Sequence, residues 1–111
     1  MVELAVDGFR TIGTGDAFPS DFVVPYYLEN RKLRLSIARV DERLYAFDGL
    51  CTCTPKPCPL SGGLLAGKTI LCQCHGSRFD IATGAVINGP ADKPLQVYDV
   101  QEVNGTVLVR V

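Results

Sequence analysis

Apolar and polar residues alternate with a period near two along most of the chain. Phe9-Arg10-Thr11-Ile12 alternates directly after the turn pair Asp7-Gly8. Beyond a stretch broken by Pro19 and Ser20, residues 23–28 gather the β-branched and aromatic side chains that strands favour. Leu33, Leu35, Ile37 and Arg39 then fall on one face, with Arg34, Ser36 and Ala38 on the other. This is the alternation of a half-buried strand, and Glu29-Asn30 is the turn before it. Asp41-Glu42 separates it from residues 43–48, its returning partner. Near the end, residues 95–103 and 106–111 flank Asn104-Gly105, a two-residue hairpin signal because both residues accept the positive φ of a type I′ turn. No stretch sustains a 3.6-residue apolar period, and seven prolines and eleven glycines punctuate the chain. The pattern predicts an all-β domain of short antiparallel strands, a small sandwich or barrel.

Between Gly49 and Pro94 the alternation gives way to loops and short strands. A loop at 49–63 leads to a strand over 69–73, a loop at 74–77 and a strand over 78–81. A turn at Thr83-Gly84 and a third loop, Asn88-Gly89-Pro90-Ala91, follow. With 111 residues the chain suits one domain, read here as a base of about 1–48 and 95–111 carrying a loop-rich subdomain of about 49–94. All five cysteines and the single histidine lie between residues 51 and 75, in the first two loops or at their edges. Loops held on a rigid scaffold are where sites are usually placed.

Composition excludes several classes. The formal net charge is −1 and the isoelectric point about 5.7, so no positive excess awaits nucleic acid or an acidic membrane, and long-range steering is weak. The longest apolar run has four residues, Leu44-Tyr45-Ala46-Phe47, far short of the roughly 18 a membrane span needs. The first eight residues lack the basic and apolar regions of a signal peptide, which points to a cytoplasmic protein. Arg31, Lys32 and Arg34 read most simply as a solvated strand face or turn. No nucleotide loop, acid–base pair or two-histidine iron site is present, so any catalysis would lie with a partner and not with this chain.

In a reducing compartment, clustered Cys and His more often bind metal or do redox chemistry than form structural bridges. Cys51-Thr52-Cys53 and Cys72-Gln73-Cys74-His75 each offer two donors that can turn toward one centre with little backbone movement. Two such pairs complete a four-donor set for zinc, a single iron or an iron–sulfur cluster. Thiolate and imidazole are wrong for Ca²⁺ or Mg²⁺.

Cys72-Gln73-Cys74-His75-Gly76-Ser77-Arg78-Phe79-Asp80, preceded by Leu44-Tyr45-Ala46-Phe47-Asp48 and Cys58-Pro59-Leu60-Ser61-Gly62-Gly63, resembles a Rieske-type [2Fe–2S] protein. Gly84, Asn88-Gly89-Pro90-Ala91 and Pro94-Leu95 are similar to that family's third loop, which lies over the cluster. The resemblance covers about residues 9–111. It implies a Rieske-like antiparallel sandwich of three sheets with a cluster-binding subdomain, and one-electron transfer between redox partners such as a reductase and an oxygenase. It further implies cluster-proximal roles for Gly76, Ser77, Leu60 and Pro90, and an exposed tip at His75 where partners dock. Cys58 and Cys74 match a loop-to-loop disulfide of some members; a pair of reduced thiols is the alternative.

One departure matters. The family's first motif is Cys-x-His, whereas this chain has Cys51-Thr52-Cys53. Aligning Cys53 with the first ligand instead puts Pro55, which cannot ligate, at the histidine position. Both alignments lead to one expected set: Cys51, Cys53, Cys72 and His75. Three thiolates and one imidazole leave the oxidised centre one charge more negative than two of each. The expected potential therefore lies between those of Rieske centres, about −150 to +300 mV, and plant-type ferredoxins, about −400 mV. Phe79, where high-potential relatives carry a tyrosine donor, acts in the same direction. Two other readings compete with the carrier: a structural or interaction subunit whose site holds zinc or nothing, and a redox sensor acting through Cys58 and Cys74.

Overall fold

A computed structural model describes residues 9–28, 32–52, 58–89 and 91–110. The strands are β1 (Phe9–Thr14), β2 (Val23–Leu28), β3 (Leu33–Val40), β4 (Arg43–Asp48), β5 (Leu64–Ala66) and β6 (Thr69–Leu71). β7 (Arg78–Asp80), β8 (Val86–Asn88), β9 (Val97–Tyr98), β10 (Val100–Val103) and β11 (Thr106–Arg110) follow. Among the described residues the only helical segments are two single 3₁₀ turns, Gly15–Ala17 and Leu60–Gly62. The strands form three antiparallel sheets, ordered β1-β11-β10, β2-β3-β4-β9 and β5-β6-β7-β8. The expected all-β, three-sheet architecture is therefore the observed one. The turn expected at Glu29-Asn30 lies outside the described residues.

Two hairpins have the same handed turn on different chemistry. Asn104 and Gly105 sit at φ 50° and 78°, as their residue types invite. Asp41 and Glu42 join β3 to β4 at φ 52° and 65°, a conformation that Glu adopts only where the flanking ladder imposes it.

Two sequence expectations need correction. β3 is not half-buried: Leu35 and Ile37 are fully buried, and so are Ser36 and Ala38 on the opposite face. Leu35, Ile37 and Ala46 face a core with Ile12, Phe18, Val107 and Val109. Ala38, Val40, Tyr45 and Phe47 face a second core with Cys51, Leu60, Ile70, Cys72 and Phe79. The middle sheet is thus sandwiched, and small residues on its second face leave volume for Phe47 and Tyr45. Arg39 does not join the apolar face. Its guanidinium donates to the carbonyls of Phe18 (2.7 Å) and Gly15 (3.2 Å) and pairs with Glu102 (3.1 Å), tying the middle sheet to the first.

The second correction concerns residues 95–103, which read as one strand. They divide at Asp99: Val97 and Tyr98 pair with β4, whereas β10 pairs with β11. The segment changes sheets there, and the Arg110 N–H donates to the Asp99 carbonyl at the corner (2.9 Å).

Gly84 shows where chain approach demands a glycine. It lies at φ 84°, and a Cβ there would sit 2.1 Å from the Leu95 carbonyl oxygen. Its own carbonyl accepts the Leu95 N–H (2.8 Å), which ties the turn after β7 to the segment entering β9. Gly84→Ala is expected to destabilise the protein by about 3 kcal/mol, from left-handed strain plus displacement of this strap. Urea unfolding checks it; a change below ~1 kcal/mol would show that the strap yields freely.

Candidate metal centre

The third sheet carries the site. Leu65, Ile70, Phe79 and Val86 stand opposite one another across its four strands and turn into the second core, fixing β5–β8 against the middle sheet. From this platform the loops project.

The first loop leaves β4 through an anchored corner. Both carboxylate oxygens of Asp48 are engaged, one by the Gln96 N–H (3.0 Å) and one by the Tyr98 hydroxyl (2.9 Å). Its stem is then closed by a Leu50–Pro59 bridge, by the Cys51 N–H donating to the Cys58 carbonyl (2.9 Å), and by the Leu60 N–H donating to the Gly49 carbonyl (2.8 Å). This stem turns Cys51 inward, where it is 3% exposed. The Cys58 N–H points back at the Cys51 sulfur at 3.3 Å, and an N–H aimed at sulfur stabilises negative charge on it.

The second loop closes on itself. The Cys72 N–H donates to the Ser77 carbonyl (2.8 Å) and the Gly76 N–H to the Cys72 carbonyl (2.9 Å). Gly76 takes a φ of 78°, which reverses the chain and brings His75 round toward Cys72. The ligand atoms of Cys51, Cys72 and His75 all lie within 4.8 Å of one another. Both cysteines are buried and His75 is exposed. Two buried sulfurs and an imidazole converging in this way form a soft-to-borderline donor set suited to iron, an iron–sulfur cluster or zinc.

Three ties hold the loops together. Cys58 and Cys74 form a disulfide, with Cα atoms 6.4 Å apart, joining the first loop to the second. The fully buried Ser77 hydroxyl accepts the Ala91 N–H (2.9 Å), joining the second to the third. The Thr52 hydroxyl donates to the Lys93 carbonyl (2.5 Å), joining the first to the segment after the third.

Of the remaining site expectations, Cys53 and Pro90 lie outside the described residues. Gly76 is exposed at the turn of the second loop. Leu60 is fully buried in the core that also holds Cys51 and Cys72. The tethering roles of Asp48 and Thr52 escaped sequence reading, although both stand in the motifs quoted above. An Asp-Gly pair at a strand end was their one visible signal, and the partners that use them are more than 40 residues away.

Comparison with known proteins agrees with this geometry. The Rieske [2Fe–2S] domain family matches residues 12–99. The chain is 37% identical over 75 residues to ferredoxin CarAc of Metapseudomonas resinovorans, covering 68% of each chain. It is 33% identical over 106 residues to the ferredoxin component of the naphthalene 1,2-dioxygenase system of Pseudomonas putida, 96% of this chain and 97% of that one. Its fold superposes on the Sphingomonas yanoikuyae B1 ferredoxin with a TM-score of 0.81 at 30% identity, over 91% of this chain and 96% of the other. With its donors converging on the loops of a three-sheet scaffold and this match spanning most of its length, the chain belongs to the Rieske [2Fe–2S] domain family.

Proposed function

We propose that this Rieske domain is a ferredoxin, a one-electron carrier that receives electrons from a reductase and delivers them to an oxygenase. The observation that carries the reading is the convergence of Cys51, Cys72 and His75 within 4.8 Å, on a chain alignable over 97% of a dioxygenase-system ferredoxin. Cys51, Cys53, Cys72 and His75 would hold a [2Fe–2S] cluster, which supplies reversible one-electron chemistry when bound. The chain's own residues supply its setting. Burial of Cys51 and Cys72 keeps water from two sulfurs, the Cys58 N–H stabilises charge on one of them, and Ser77 with the disulfide holds the loops in register. Exposed His75 gives partners a short approach at the loop tip, through an interface of the small, transient class, below about 1,200 Å². Catalysis on a substrate belongs to the oxygenase partner.

We further read residues 49–94 as the cluster-binding part and about 1–48 with 95–111 as its base. The cytoplasm is the proposed compartment. None of the described helices is long and apolar enough to cross a membrane, and the relatives named above are ferredoxins.

Iron and acid-labile sulfide analysis of anaerobically purified protein, beside its visible spectrum before and after dithionite, tests the reading. The expected result is two irons and two sulfides per chain with colour that bleaches on reduction. Zinc, or a colourless chain even after cluster reconstitution, would leave a Rieske-shaped scaffold without redox work.

A further inference from the structure

Beside the first loop lies an open groove of about 540 Å³ that His75 does not line. Tyr27, Lys32, Arg34, Asp48, Leu50 and Cys51 are among its walls. Lys32 and Arg34, which read as a solvated strand face in sequence, therefore share a groove wall with Cys51, one of the two buried cysteines of the metal centre.

Three features make this groove a recognition surface for anions. Among the described residues, neither Lys32 nor Arg34 makes an ion pair; the salt bridges there are Arg39–Glu102 and Arg110–Asp99. Among the described residues the wall holds one acid, Asp48, whose carboxylate is held by the Gln96 N–H and the Tyr98 hydroxyl, so the two cations exceed it by one positive charge. Arg34 is also seated: a Cβ at Gly49 would lie 2.4 Å from its Cγ and 2.9 Å from its backbone, so its stem rests on the glycine at the start of the first loop. The Gly49 N–H donates to the Arg34 carbonyl (2.8 Å), locking that contact. Beside these cations stand two exposed large side chains, Tyr27 at 51% and Leu50 at 37%. Local positive charge in a chain of net charge −1 favours an acidic partner over a basic one at short range, within a screening length of about 8 Å at physiological salt.

We propose that this groove is a second docking face, which seats an acidic, apolar-edged surface segment of a redox partner protein and offers it an electron path by way of Cys51. The proposal rests on the ferredoxin reading. One electron passes between the reduced carrier and its oxidised partner, and no bond is made or broken. A carrier serving two partners could then present His75 to one and the Cys51 groove to the other.

The test uses a fluorescently labelled octapeptide of alternating Glu and Leu as a probe of the face, with binding read by anisotropy on the whole chain. Lys32→Glu with Arg34→Glu is expected to weaken binding at least tenfold at low ionic strength. The same charge change at Arg43→Glu with Lys68→Glu, both exposed and outside the groove, is expected to change it less than twofold. Wild-type binding should fall with added salt and survive millimolar inorganic phosphate. Equal loss in both double variants, no binding to wild type, or full displacement by phosphate would overturn the docking face.

Oxidation of the reduced protein by ferricyanide, an anionic oxidant, supplies the second measurement. It is expected to slow severalfold in the groove variant and to hold its rate in the control; equal rates would overturn the path by way of Cys51. A wild-type protein without bleachable colour would instead sink the ferredoxin reading, while the peptide measurement would still report on the groove.

Discussion

Replacing Cys72 with serine is expected to yield a colourless protein, with iron and acid-labile sulfide each more than tenfold below the wild-type content. Cys72 is 1% exposed and shares the second core with Cys51, Leu60 and Phe79, so no solvent ligand can easily take its place. A serine hydroxyl is a harder and far less acidic donor than a thiol, poorly matched to iron in an iron–sulfur centre. Cys51→Ser should behave alike. Far-UV circular dichroism separates loss of the cluster from loss of the fold. The contrasting pair is Cys58→Ser with Cys74→Ser, which should keep the visible spectrum. These two cysteines bridge the loops, and their closure of a 16-residue separation is worth about 3 kcal/mol in the chain-entropy account. A Cys72→Ser protein that retained full iron and sulfide would remove Cys72 from the ligand set.

Cys53→His should raise the reduction potential by on the order of 100 mV, about half the gap between the low end of Rieske centres and plant-type ferredoxins. The sign follows from charge. A neutral imidazole in place of a thiolate removes one negative charge next to the incoming electron, so reduction becomes easier. The hydrogen bonds seen at the site, such as the Cys58 N–H to the Cys51 sulfur, are present in both proteins and leave the difference to ligand charge. Protein-film voltammetry of both proteins in one buffer gives the shift. No change, or a lower potential, would mean that Cys53 does not ligate and that the fourth donor lies elsewhere.

Short-range chemistry was legible in the residues themselves. Alternation placed β3 and β4, because period-two burial is written in adjacent side chains, and Asn104-Gly105 marked its hairpin because those residues accept positive φ. Cys72-Gln73-Cys74-His75 advertised a metal centre, since two donors three residues apart in a loop have few other uses. What escaped had its cause far along the chain. Ser36 and Ala38 looked like an outer face; they are buried because the β5–β8 sheet and its loops cover them. Residues 95–103 looked like one strand and serve two sheets, because only the assembled fold sets two strand edges at that corner. Arg39 sat in an apolar row and became a clamp because Phe18, Gly15 and Glu102 converge on it from three other segments.

By itself the sequence determined the class of the fold, the soft donors and their clustering in two loops, since these depend on residue type and on spacings of a few positions. Tertiary structure alone decided the geometry: Cys51, 21 residues before Cys72, lies within 4.8 Å of it and of His75, and Lys32 and Arg34 share a groove wall with Cys51. Local propensity acts over a turn or a strand, whereas bringing such distant side chains together needs the loop-closure entropy to be offset by burial of a common core. Here that core is the second one, where the middle sheet, Leu60, Ile70 and Phe79 meet beneath both cysteines.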